Sequence, residues 1–342
     1  MVTKEKKKAV IKLLLRVVIT VTLMWIVLSR IDLQQVGQAV KKAKLGYLVV
    51  LWLLSITALL IMSFKLQLIL RKLQCEVQVG TLFRASAITA FYSMFIPGLL
   101  STGVKWYILK RHTGRGSRVL SSMIYNQTTD NYFRVLLGLI AMAVTFPSHQ
   151  KEIRIICGVT VAIFIVVYVL LLSRRTGLKV NAAIGYVLRY FPKTISTPAQ
   201  IILDQMKVFQ TAGWAFHLLI AAVNIVIAIL GVVIFVCAAK AAGISVPVSG
   251  LVWQSAAIYI LGRLPISIAN LGVREYTLIG CMEIYHVGAP QAFLMSIIIF
   301  TGAIIRAIIG AVCLLFKVPA ADDKITKEII SEQEDLSGGL EA

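Results

Sequence analysis

The run Leu264-Pro265-Ile266-Ser267-Ile268-Ala269-Asn270-Leu271-Gly272-Val273-Arg274-Glu275-Tyr276 interrupts what would otherwise be continuous apolar helix. Pro265 removes an amide donor, and Gly272 accepts backbone angles that most side chains forbid. Asn270 stands between them, and the charged pair Arg274 and Glu275 follows at once. A long apolar segment with a single arginine, Arg306, then leads to Gly310. In lipid, broken backbone is tolerated only where it is buried in protein or lines a watery cavity. A cavity of that kind inside a membrane is a candidate transport path.

Working outward, the run has a counterpart upstream. Gly103-Val104-Lys105-Trp106-Tyr107 matches Gly272-Val273-Arg274-Glu275-Tyr276, and Leu109 stands against Leu278. Pro97 precedes its glycine as Pro265 precedes its own, and Arg134-x-x-x-Gly138 follows the first as Arg306-x-x-x-Gly310 follows the second. Upstream, Ala85-Ser86-Ala87 answers Ser255-Ala256-Ala257. Paired apolar segments interrupted by glycine and proline in two halves point to a transporter's substrate site. Pro97, Gly98 and Gly103 are thus the expected hairpin breakers of one half, and Pro265 and Gly272 those of the other.

The composition sets the class. The chain has 342 residues, of which 58% are hydrophobic and only 15% charged, and its mean hydropathy is +0.86. This excludes an ordinary soluble domain and makes it a polytopic membrane protein. The apolar run after Lys4–Lys8 has no small-residue cleavage site, so it reads as a retained helix. The net charge of +20 comes from basic residues scattered through short loops, not from one patch. That distribution argues against a nucleic-acid partner and for membrane orientation and attraction to anionic lipid. Cys75, Cys157, Cys237, Cys281 and Cys313 lie apart with no C-x-x-C, which predicts lipid-facing or packing residues rather than disulfides or metal ligands.

In chain order, residues 1–8 form a cationic cytoplasmic tail and residues 9–28 the first span, with Lys12 and Arg16 snorkelling. The second span is 46–70, where Lys65 also reads as a snorkeller, and 71–84 is a polar connector. An apolar arm at 85–100, short for a crossing, ends at Pro97-Gly98 and returns through 103–109. A helix then carries the polar run Asn126-Gln127-Thr128-Thr129-Asp130-Asn131, with a third span near 131–146 and a fourth near 153–172. The loop 173–210 is strongly basic and therefore cytoplasmic. The fifth span is 211–238, a second short arm covers 249–262 and returns through 274–285, and the sixth span is 290–316. The acidic tail 317–342 reads as disordered.

These segments make an all-α membrane domain over 9–316, with six transmembrane spans and two re-entrant helical hairpins. Repeat one covers about 82–146 and repeat two about 249–316. Three full crossings separate the hairpins, so the repeats insert from opposite faces, an inverted-repeat plan with a site near the midplane. Both termini fall in the cytoplasm, and the charge bias of the loops largely agrees.

At Pro265 to Tyr276, preceded by Pro97 to Lys105 and followed by Arg306, the chain resembles the flippase-like membrane region of the lysylphosphatidylglycerol synthases, the multiple peptide resistance factor family. The resemblance extends over roughly 10–316. It implies movement of a polar lipid between leaflets of the cell membrane, with a separate soluble domain transferring an amino acid from charged tRNA to phosphatidylglycerol. The chain ends soon after its last span, so the transferase is expected to be absent from it and to be supplied, if at all, by a separately encoded partner. Lys105-Trp106 stands where the second half has Arg274-Glu275.

The expected substrate-binding residues are Arg134, Arg306, Arg274, Glu275, Lys105, Asn126, Asp130 and Asn270. A charge at the centre of a membrane helix costs about 2.5 to 3.5 kcal/mol, so each needs a partner or water. Arginine offers planar bidentate donors to a lipid phosphate. Two readings stay open for the arginines, phosphate contact and structural pairing, the latter as Arg274 with Glu275 and Arg134 with Asp130. Structural pairing leads for Glu275. The amides suit a headgroup path or the satisfaction of broken backbone. The four histidines share no metal spacing, and no cofactor or metal is expected. There is no P-loop, G-x-S-x-G elbow, H-E-x-x-H or nicotinamide fingerprint. An embedded lipid-modifying transferase, acting as a phosphatidylglycerol lysyltransferase or on polyprenyl phosphates, and a lipid-binding scaffold remain the alternatives to a flippase.

Overall fold

An apolar segment in lipid must satisfy its own backbone, and the α-helix does so within one stretch of chain. The computed structural model describes residues 41, 44–96, 98–145, 151–172, 176–177, 186, 200–201, 204–205, 207–262 and 267–315. Its helices, in chain order, are α1 (Leu45–Lys72), α2 (Val79–Tyr92), α3 (Gly98–Thr113), α4 (Gly116–Thr145), α5 (Lys151–Leu172), α6 (Trp214–Ala241), α7 (Val248–Leu261), α8 (Val273–Glu283) and α9 (Ala289–Leu315). No strand occurs among the described residues. By length and composition α1, α6 and α9 are able to cross a membrane.

Three helices end in the same way. Past α1, Gln74 takes φ 56, while Cys75 N–H reaches Leu70 O and Gln74 N–H reaches Arg71 O. Gly243 past α6 and His286 past α8 repeat the pattern, with Ile244 bonded to Ala239 and Val287 to Met282. This is the Schellman closure, which satisfies the last carbonyls of a helix and turns the chain sharply. After α1 and α6 the turn leads within a few residues to a short helix. α1 and α6 are both 28 residues long, and α2 and α7 both 14. Each boundary of the later pair stands 169 residues beyond its counterpart, from Leu45 to Trp214 and from Tyr92 to Leu261.

The chain divides into two compact units. One contains residues up to Leu59, Ser86–Lys105 and Leu230 onward, and the other Leu60–Ala85 and Trp106–Ile229. In the first, α7 and α8 form an antiparallel hairpin. Trp253 Nε1 donates to Tyr285 Oη at 3.0 Å and Gln254 Nε2 to Cys281 O at 3.3 Å. At the other end of the hairpin, Gly262 abuts Asn270. Leu51, Phe235, Leu251, Leu278, Met282 and Met295 form its core. α9 crosses α1 at Gly302, which sits against Ser55 and Leu51, and crosses α2 at Gly310, which sits against the Ala87 backbone. Trp52 Nε1 ties α1 to Thr301 Oγ1 at 2.9 Å.

In the second unit Leu66, Leu70, Val77, Leu82, Leu109 and Val119 pack together, so α1, α2, α3 and α4 contribute to one core. Tyr125 stacks on Phe209 at 4.2 Å. α4 packs on α5, where Tyr132 stacks on Tyr168 at 4.1 Å and donates to Phe164 O at 3.1 Å.

Several expectations need correction. The polar connector expected at 71–84 is only the turn at 73–78, because α2 already begins at Val79. That helix ends at Tyr92, short of the expected end of the arm at Pro97-Gly98, and α3 begins at Gly98. Gly103 does not break the hairpin, since α3 starts at Gly98 and runs through it; one glycine inside a helix costs only about 1 kcal/mol. The run Asn126–Asn131 lies on a helix as expected, in the middle of α4, which begins at Gly116. Gly98 opens α3. The first span, Pro97, Pro265, the tails and most of 173–210 lie outside the described residues.

All five cysteines are free, and Cys75, Cys157 and Cys237 are buried, as packing residues would be. Burial pushes the Cys75 thiol up, against the opposite pull of Arg115 and Arg118. A raised value keeps it protonated at neutral pH, where the thiolate is the reactive form. Cys75 is therefore expected to stay unlabelled by maleimide in the folded protein and to label on unfolding, as mass spectrometry would read. Rapid labelling of the folded protein would refute its burial.

Candidate functional site

Two groups of charged side chains are buried inside apolar helices, one in each unit. Lys65, Asp130, Arg274 and Glu275 are the buried charged residues among those described.

In the first unit the break between α7 and α8 turns through left-handed angles at Ala269 (φ 50), Asn270 (φ 58) and Gly272 (φ 83). Asparagine and glycine accept such angles with least strain. Gly272 caps α8, and its N–H donates to Glu275 Oε2 at 2.7 Å. The Glu275 carboxylate is thus both an N3 acceptor and a favourable charge at the helix's positive end. Arg274 pairs with Glu275 Oε1 through its terminal nitrogen, and its Nε donates to Ser296 Oγ on α9 at 2.8 Å. Ser296 donates in turn to Glu275 Oε1 at 3.0 Å, and Phe300 lies 4.7 Å from the guanidinium. Of the two readings held open, the structure displays the pairing of Arg274 with Glu275. That pair pins α8 to α9 at the broken backbone. Arg306 is half-buried on α9, four residues from each of the crossing glycines Gly302 and Gly310.

The second unit holds a group that sequence reasoning misplaced. Lys65 is not a snorkeller. It is 0% exposed and pairs with Asp130, itself 4% exposed, across from α1 to α4. It also donates to Asn224 Oδ1 of α6 at 2.8 Å. Snorkelling needs a stem that reaches the headgroups, and the cations that mark the end of α1 are Arg71 and Lys72. The sequence offered Arg134 as the partner of Asp130, and the structure pairs Asp130 with Lys65. Ser122, Asn126, Asp130 and Arg134 recur every four residues and so form one stripe of α4. Ser122 Oγ, Asn126 Oδ1, Asn224 Nδ2 and His217 Nε2 are buried without a protein partner, and His217 Nδ1 meets Tyr125 Oη at 3.1 Å. Buried polar atoms of this kind require water or a ligand.

Lys105 is half-buried on α3, and Asn270 half-buried at the break. Asn224, Ser296 and His217 were missed. A signal existed in the spacing of His217 and Asn224, two turns apart on one face of an apolar helix.

Helices long and apolar enough to span a bilayer, with ionisable groups paired in their interior, define a multi-pass membrane protein built around polar sites. The chain belongs to the family described as the lysylphosphatidylglycerol synthase TM region, which matches residues 13–313. No curated protein and no solved structure matches the chain.

Proposed function

We infer that the protein moves a polar lipid between the two leaflets of the cell membrane, a lipid with a phosphorylated headgroup such as lysylphosphatidylglycerol. The observation that carries this reading is the burial of one charged cluster inside the apolar helices of each unit, that of the first unit lying at the broken backbone between α7 and α8. Intramembrane ionisable groups of this kind mark substrate or ion pathways by default. The family membership supports the lipid.

In this reading α2–α3 and α7–α8 are re-entrant hairpins within six spans, both termini are cytoplasmic, and the repeats are inverted. The helix lengths support wider repeat boundaries than 82–146 and 249–316, at about 45–145 and 214–315. In the first unit Arg306 and Lys105 offer cationic donors to a headgroup phosphate and Asn270 an amide; in the second, taken by itself, Arg134 and Asn126 do the same. Arg274 and Glu275 hold the break, and Asp130 is balanced by Lys65. A lipid transferase, separately encoded, supplies the substrate.

The test is leaflet exchange in proteoliposomes, for a panel of phospholipids that includes lysylphosphatidylglycerol. Arg306→Ala is expected to slow exchange of the preferred lipid by about tenfold or more, the worth of one charged hydrogen bond. Full exchange by a normally inserted Arg306→Ala would remove that residue from the path. No exchange of any lipid above empty vesicles would overturn the reading.

A further inference from the structure

The helix crossing that houses Lys65 and Asp130 has a counterpart in the other unit, and the comparison isolates what the charges add. In the spacing that carries α1 onto α6, Ser55 corresponds to Asn224. In the register that matches Arg134 to Arg306, Asp130 corresponds to Gly302. Ser55 and Gly302 meet directly at their own crossing. Small residues therefore suffice to pack this pair of helices, as is general in membranes. Asn224, Lys65 and Asp130 fill the equivalent place with two charges. A buried ion pair is seldom more stabilising than an apolar replacement, so packing does not account for it.

We propose that Lys65, Asp130 and Asn224 form a proton-coupled exchange site, where a headgroup phosphate draws the Lys65 ammonium from Asp130 and the freed carboxylate takes a proton from water. This rests on the lipid-moving reading above. The balance is simple: the ammonium keeps its three protons, one ionic contact is exchanged for another, and one proton binds a carboxylate oxygen. A carboxylate left without its partner in an apolar core is too costly to remain charged, which ties the proton to the phosphate. When the phosphate leaves, Lys65 returns to Asp130 and the proton is released. Asn224 holds the ammonium in both states. The stripe of Ser122, Asn126 and Asp130, with its unpartnered buried oxygens, gives the proton a polar route along α4. Arg134 of α4 is the further charge that acts on Lys65, and other titratable or charged groups on the helices that meet here include Tyr125 and Tyr132 of α4, Tyr168 of α5, His217 of α6, and Arg71 and Lys72 at the end of α1. Arg134 repels the Lys65 ammonium and so favours its transfer to an anion.

The experiment uses the full chain in vesicles containing lysylphosphatidylglycerol, with the membrane potential clamped to zero and a pH gradient imposed. Outer-leaflet lipid is read by reaction of its amine with an impermeant reagent, and a trapped indicator reports internal pH. With one proton per lipid, a gradient of about one pH unit shifts the leaflet ratio up to about tenfold. In Asp130→Asn the gradient no longer shifts the ratio. Should that variant fail to insert, Lys65→Gln with Asp130→Asn, which leaves neither charge of the pair, tests the proton alone: the indicator is expected to report no lipid-dependent proton entry. Exchange by the wild type that ignores the gradient overturns the coupling and leaves the lipid reading intact, and so does a response that survives in either variant. If no lipid moves, the lipid reading fails. The coupling then falls with it, because the proton has no phosphate to accompany.

Discussion

Replacing Gly310 with alanine is expected to destabilise the folded protein by about 3 kcal/mol, the upper range for overpacking a close contact. A Cβ at this position would lie 2.0 Å from the carbonyl oxygen of Ala87 and 2.6 Å from its carbon, with Phe91 Cβ at 3.0 Å. The opposing atoms at the shortest contacts are backbone, so no rotamer change relieves them, and α9 must move away from α2. In lipid, helices are held together by close packing and hydrogen bonds rather than by exclusion of water. Separating them by even an ångström therefore forfeits most of what holds this crossing. Gly302 provides the control. A Cβ there would meet Ser55 Oγ at 2.7 Å and Leu51 Cδ2 at 3.0 Å, both side-chain atoms able to rotate. Thermal unfolding in detergent should show Gly310→Ala lowered by roughly 6 to 12 °C and Gly302→Ala by less than half as much. Equal shifts for the two, or a Gly310→Ala shift within about 2 °C of wild type, would show that the contact yields more easily than its geometry implies.

How far the sequence reached can be traced residue by residue. The helices expected at 46–70, 153–172, 211–238 and 290–316, and the two short ones at 249–262 and 274–285, were legible as helices, because apolar runs bounded by glycine, proline and charge leave few alternatives. The earlier hairpin was misplaced because Pro97 and Gly98 look like its tip. In fact the chain leaves α2 after Tyr92, and Gly98 already begins α3. Val79 to Arg84 looked like connector because threonine, glycine and arginine dilute a helical turn in which only Leu82 is buried. The pairing of Arg274 with Glu275 could be anticipated from adjacency. The pairing of Lys65 with Asp130 could not, since the residues are 65 positions apart and on separate helices. A lysine near a helix end has two fates, snorkelling or a buried partner, and composition does not separate them. What would have helped is the register of the repeat. Carried through α1 and α6, it sets Asn224 opposite Ser55 and marks the one polar crossing against its apolar counterpart.

The same logic gives the second large effect. Glu275→Ala should destabilise the protein by about 3 to 5 kcal/mol, because it leaves Arg274 as a buried charge whose remaining contacts are neutral. It also strips the Gly272 amide of its acceptor, and an unsatisfied buried donor costs about 1 to 3 kcal/mol by itself. Removing both charges, with Arg274→Met and Glu275→Ala together, should recover much of the first cost and none of the second. The double variant is therefore expected to unfold above Glu275→Ala, although it carries one more substitution. That ordering is a coupling between the two sites of about 2 kcal/mol or more, beyond what independent residues show. Unfolding temperatures of wild type, both single variants and the double variant close the cycle. If the two single effects simply add, Arg274 does not depend on Glu275 for its charge balance. The guanidinium would then be free to serve a headgroup, and the pinning of the break would have to come from Ser296 and the left-handed turn at Asn270 and Gly272 alone.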